Sequence, residues 1–111
     1  MNQAAIEAIV EQYEKHGWTL RRVLLGASAK EPLNLEKFTA NGILVLSSDL
    51  DAAWFSRGSQ PGKETWELRS LGPPYAIDAF LDDQMSDQER DELLRNTENR
   101  MRLASPHRQN N

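Results

Sequence analysis

The sequence predicts an α+β domain of two layers, a four-stranded, mostly antiparallel sheet with N- and C-terminal helices packed on one face. Three observations carry this. Apolar residues recur at helical spacing near the N-terminus. The middle of the chain breaks into short apolar or alternating runs separated by turn residues. The last third returns to a helical pattern opened by a capping box.

Each element has its own grounds. Ile6, Ile9, Val10 and Tyr13 fall at the i, i+3, i+4, i+7 spacing of one helix face, so a helix is expected over Gln3–His16, with Glu7, Glu11, Glu14 and Lys15 on the other side. Gly17 follows where a left-handed C-cap belongs. Residues 18–25 (WTLRRVLL) favour a strand, although strict alternation groups Trp18, Leu20 and Leu24 with Arg22 and sets Val23 and Leu25 on the other face. Residues 26–42 form a long connection, broken by Pro32, in which Leu35 and Phe38 could anchor a helical turn. Ile43–Leu46 is wholly apolar and is expected to be a buried strand. A third strand over Ala52–Arg57, a loop over Gly58–Gly62 and a fourth strand over Lys63–Leu71 complete the predicted sheet, which Gly72-Pro73-Pro74 would end. Tyr75–Leu81 reads as a short helix or an extended segment. Ser86 and Glu89 form the capping box of a final helix, in which Asp91 with Arg95 and Glu98 with Arg102 are favourable i,i+4 pairs. The expected organisation is one domain over residues 1–103 and a disordered tail over 104–111.

The hairpin register can be argued from its side chains. A turn centred on Gln60 sets Trp54 opposite Trp66, Ala52 opposite Leu68 and Asp51 opposite Arg69. Trp54 and Trp66 then share the face that the helices would cover, while Phe55, Arg57, Glu67 and Arg69 share the other.

Composition narrows the functional classes. The chain has 111 residues, 39% hydrophobic and 27% charged, with a formal net charge of −4. It contains no cysteine, which excludes disulfides and thiolate metal sites. No apolar run approaches the ~20 residues of a membrane helix, and the first residues lack the pattern of a signal peptide. A cytoplasmic protein is expected. Residues 73–103 hold eight acids against four arginines, and the acidic balance argues against nucleic-acid binding. Trp54, Phe55, Trp66 and Tyr75 could stack bases, but Glu64 and Glu67 beside them oppose phosphate.

Several motifs fall short of the chemistry they suggest. Gly58–Thr65 has the look of a phosphate-binding loop, but it has three residues between its glycines instead of four, and Glu64 where a hydroxyl should follow the lysine. Gly26-Ala27-Ser28-Ala29-Lys30 lacks the closing glycine of a nucleophile elbow. The acids over 78–92 lack the spacing and the glycine of a calcium loop. His16 and His107 cannot be paired as metal ligands, so no metal and no cofactor are expected.

Asp51, Glu67 and Arg69 could form a catalytic set in which two acids on neighbouring strands hold a metal; arginine is a poor base there, since it keeps its proton. The leading expectation is a non-enzymatic protein that associates with itself, as a homodimer, or with another protein. Val23, Leu25, Phe55, Arg57 and Arg69 are the candidate interface, on the sheet face left bare by the helices. Two alternatives stand beside it. Residues 26–42 could fold over that face, with Leu33, Leu35 and Phe38 as a lid. The chain could instead be a hydrolase or nuclease-like enzyme with a carboxylate site around Asp49, Asp51 and Glu67.

Overall fold

The structure is a computed structural model that describes residues 2–26 and 33–104. Its elements run α1 (Gln3–Lys15), β1 (Thr19–Leu25), α2 (Glu36–Thr39), β2 (Leu44–Ser47), β3 (Ala52–Gln60), β4 (Lys63–Ser70), β5 (Ala76–Asp82) and α3 (Asp87–Ala104). The strands form one mixed sheet in the order β2-β1-β3-β4-β5. β1 and β2 are parallel and the remaining pairs antiparallel. The chain is α+β as expected, but the sheet has five strands rather than four. The additional strand is β5, and Gly72-Pro73-Pro74 makes a connection inside the sheet instead of ending it. The region predicted as a tail lies, from residue 105 onward, outside the described residues.

The helices lie on opposite faces, which corrects the two-layer expectation. On one side Leu94 and Met101 of α3 pack with Leu24, Trp54, Trp66, Leu68, Ile77 and Leu81. On the other, Ile6 of α1 and Phe38 of α2 pack with Leu20, Val23, Leu25, Ala53 and Phe55. The end of β1 (Val23, Leu24 and Leu25) and the start of β3 (Ala52 to Phe55) are apolar on both faces, and a strand of that kind needs cover on both. Val23, Leu25 and Phe55 are 1%, 1% and 0% exposed, so the apolar part of the expected interface is core within a single chain. The predicted lid is present in part: Phe38 is buried, with Leu33 and Leu35 packed against the same core.

A bulge explains the broken alternation of β1. Leu20 pairs with Phe55, yet Arg22 pairs with Trp54, so Arg21 is the extra residue. Leu20 therefore joins Val23 and Leu25 on the α1 face. Arg21 and Arg22 both reach the Trp66 ring, at 5.1 and 5.8 Å from its centroid.

The hairpin register differs from the predicted one by two residues. Trp54 faces Leu68, Ser56 faces Trp66, Ala52 faces Ser70 and Ala53 faces Arg69. The turn is Pro61-Gly62. Gly62 has φ +77°, which a type II turn requires at its third residue. A two-residue shift keeps every side chain on its predicted face, and Trp54 still meets Trp66 edge-to-face at 6.0 Å.

Both long helices are capped by their own sequence. Asn2 accepts the Ala5 N–H at 2.8 Å at the start of α1. At its end, Gly17 (φ +85°) and Trp18 donate to the Glu14 and Tyr13 carbonyls, the pairing of a Schellman cap. The capping box of α3 is formed in both directions: Glu89 N–H donates to Ser86 Oγ at 3.1 Å, and Ser86 N–H donates to Glu89 Oε1 at 2.8 Å. The predicted Glu98–Arg102 pair gives way to contacts with the sheet. Glu98 accepts from Trp54 Nε1 at 2.9 Å, and Arg102 Nε pairs with Asp49 at 2.7 Å.

Candidate functional site

Neither helix spans its whole sheet face. α1 and α2 cover β1, β2 and β3, which leaves Thr65, Glu67, Arg69, Asp78 and Phe80 on the open part of that face. α3 covers β3, β4 and β5, and leaves Leu44 and Leu46 open on the other. These two bare strips and the outer edges of β2 and β5 are the parts of the sheet that the helices leave open.

The polar strip is organised around Glu67. The Tyr13 ring stacks on Phe55, with centroids 4.0 Å apart and planes 12° apart. That contact aims the phenol at β4, where it donates a hydrogen bond to Glu67 Oε2. Glu67 pairs across the ladder with Asp78. Burial, and then the Asp78 carboxyl beside it, raise the Glu67 pKa, while the Tyr13 hydrogen bond and Arg57 oppose the rise. Burial and the neighbouring Glu67 likewise push the Tyr13 phenol well above its ordinary value. Arg57 lies over the Trp18 ring at 4.4 Å and donates to the His16 carbonyl at 3.3 Å. Arg69 Nη1 donates to the carbonyl of its neighbour Ser70. The strip clamps the end of α1 to β4 through the Tyr13–Glu67 hydrogen bond.

The predicted carboxylate set is not brought together. Asp51 Oδ1 accepts the Gly26 N–H at 2.8 Å, and its carbonyl accepts from Leu71 N–H, so it ties three chain segments at one end of the sheet. Asp51 lies four residues from Phe55, the partner of Glu67, a span of roughly 13 Å at the usual strand rise. Asp49 stands on the β2–β3 connection, where the Arg102 hydrogen bond lowers its pKa. Among the described residues, no group of three or more His, Asp or Glu side chains is set to hold a metal ion. The segment that resembled a phosphate loop is the β3–β4 hairpin.

Sequence reasoning missed Tyr13 and Asp78 as partners of Glu67. Helical spacing sets Tyr13 on the apolar face of α1 and says nothing of its phenol, and Asp78 comes beside Glu67 only once Ala76–Asp82 is a strand. The sequence also gave no sign that the apolar β2 stands at the sheet edge. Leu44 is 54% exposed and Leu46 39%.

Comparison with protein-family models, with curated proteins and with solved structures finds no match to this chain.

Proposed function

We propose that this chain is a non-enzymatic self-association domain whose copies join through the β2 edge. The observation that carries the reading is a mismatch between sequence and exposure. Ile43–Leu46 is apolar on both faces, the pattern of an enclosed strand, yet Leu44 is about half exposed and Leu46 more than a third exposed on an open edge. The two edges of the sheet differ in this respect. β5 carries Asp78 and Asp82, the kind of charge that discourages strand addition, whereas β2 carries none.

A second copy fits this edge by symmetry. Antiparallel pairing of two β2 strands about a two-fold axis at Val45 sets Leu44 opposite Leu46 of the other copy, and the reverse. The four leucines then share one face, while Val45 meets its own equivalent on the other. Four residues per copy bury less than the ~800 Å² per partner of a standard interface, so a weak dimer is expected.

Sedimentation velocity over a range of concentrations tests this. The expected result is a mass that rises above 12.6 kDa with concentration, and Leu46→Lys, which puts charge on the edge, holds the chain at 12.6 kDa. A concentration-independent mass of 12.6 kDa in the unmodified chain would overturn the reading.

A further inference from the structure

A groove between α1 and α2 lies on the sheet face opposite Leu44 and Leu46, and self-association makes no use of it. Its floor is apolar, formed by Val10, Leu20, Phe38 and Ile43, and Glu7, Glu11 and Glu14 stand along one rim. The space measures about 230 Å³. Small-molecule sites run to roughly 300–1,000 Å³, so this space suits side chains of a docked segment better than a free metabolite.

The helix accounts for only part of the glutamate rim: Gln3 Nε2 donates to Glu7 at 2.8 Å and Lys15 pairs with Glu11, both at i,i+4, while Glu14 has no such partner among the described residues. Glu7 and Glu11 are four residues apart and Glu11 and Glu14 three, spacings at which like charges destabilise a helix. Glu14 lies in the last turn, at the negative end of the helix dipole. The N-cap is supplied by Asn2, so none of the three glutamates caps the helix. Glu7 has Lys37 at 3.7 Å and Glu11 has Lys15 at 3.6 Å, both exposed pairs of little energetic weight. No ion pair forms at Glu14 among the described residues. The three carboxylates and Lys37 of the lining carry a net −2, and Lys15 beside Glu11 brings the rim to −1, with Glu14 the carboxylate that no cation faces among the described residues.

We infer that this groove docks a segment of a partner protein that presents an aliphatic side chain flanked by arginine or lysine. The aliphatic group enters the floor between Val10 and Phe38, and the cation meets Glu11 and Glu14. The inference goes beyond self-association and does not depend on it, because it engages neither Leu44 nor Leu46.

Fluorescence anisotropy on the full chain tests the inference with three short, labelled, amidated peptides. The first combines leucine with arginine, the second replaces its leucines with serine, and the third replaces its arginines with glutamate. Saturable binding of the first is expected, with no binding of the third. Affinity should fall roughly five- to twentyfold with the serine peptide, which loses its buried aliphatic group, and roughly two- to fivefold in the Glu11→Gln/Glu14→Gln variant, whose carboxylates are exposed. The Leu46→Lys variant should bind the first peptide as the unmodified chain does, whatever its oligomeric state, so a failure here is distinct from a failure of the dimer. Absence of saturation, equal affinity for the serine peptide, or unchanged affinity in the double variant would overturn the proposal. Circular dichroism melts of each variant verify that the fold is retained.

Discussion

Replacing Trp54 with Phe tests how the last helix is held to the sheet. Trp54 is 0% exposed, its indole N–H donates to Glu98 on α3 at 2.9 Å, and its ring meets Trp66 at 6.0 Å. Phenylalanine keeps most of the aromatic body and removes the donor. A hydrogen bond to a charged group contributes about 1.5–3 kcal/mol, and the half-buried Glu98 can recover some of that from water. The smaller ring leaves part of the site empty, which adds about 1–2 kcal/mol at ~0.8 kcal/mol per methylene equivalent. The expected cost is therefore about 2–4 kcal/mol, against a total of roughly 5–15 kcal/mol for a domain.

Urea unfolding followed by far-ultraviolet circular dichroism reads this cost, and a double-mutant cycle with Glu98→Ala isolates the hydrogen bond. If Trp54 and Glu98 act together, Glu98→Ala should cost about 1 kcal/mol less in the Trp54→Phe background than alone. Additivity within about 0.3–0.5 kcal/mol would refute the coupling. A cost for Trp54→Phe below about 0.5 kcal/mol would refute the packing argument as well.

Three further outcomes follow from single sites. Asp51→Ala should cost about 1–2 kcal/mol in urea melts, more than the ~0–1 kcal/mol of an exposed ion pair, because it frees the Gly26 N–H at the end of β1. Glu67→Gln should raise the melting temperature at neutral pH: the folded chain holds the Glu67 proton above the ordinary value of 4.5, so the wild-type contribution is full below that value and declines as pH rises through the raised one. A difference between variant and wild type that did not grow from acid to neutral pH would contradict this. Gly62→Ala should cost about 1–2 kcal/mol, since its φ of +77° disfavours a side chain and its Cβ would come within 2.9 Å of an Asp83 carboxylate oxygen; an unchanged urea midpoint would remove that cost.

Much of this architecture is legible in local chemistry. The Ser86–Glu89 box and the stripe of α1 need only neighbours within a turn or two, so both helices are marked in the sequence, as is the turn at Phe38. The side chains of the β3–β4 hairpin lie on their predicted faces because facing depends only on odd or even position. Register is harder to read, since a shift of two residues leaves the facing unchanged. The turn decides it: Pro61-Gly62 makes a two-residue loop, and the pairs follow from that. β5 reads equally as helix or strand because its exposed positions hold Ala76, Asp78 and Phe80, a weak alternation for an edge strand. The candidate site was legible only as a set of residue types. Glu67 was singled out, but the Tyr13 phenol that binds it comes from 54 residues away, and no spacing rule reaches that far.

The placement of the helices turns on a surplus of apolar surface that the sequence displays but does not assign. Val23, Leu25, Ala53 and Phe55 face away from the tryptophan core, and some element has to cover them. Assigning both helices to the tryptophan face left a second copy or the 26–42 segment as the cover. In the fold, α1 and Phe38 fill that role, and the thin apolar stripe of α3 is sufficient on the other side because Trp54 and Trp66 bring most of the bulk themselves. Once each face has its helix, the large apolar side chains still exposed on the strands, among the described residues, are Leu44 and Leu46 on the outermost strand and Phe80 on the opposite edge. Phe80 stands between Asp78 and Asp82, whereas Leu44 and Leu46 are flanked by Ile43, Val45 and Ser47. The broad face around Phe55 is closed within one chain, so the self-association proposed above is argued from the β2 edge, which carries no charge to oppose a second copy.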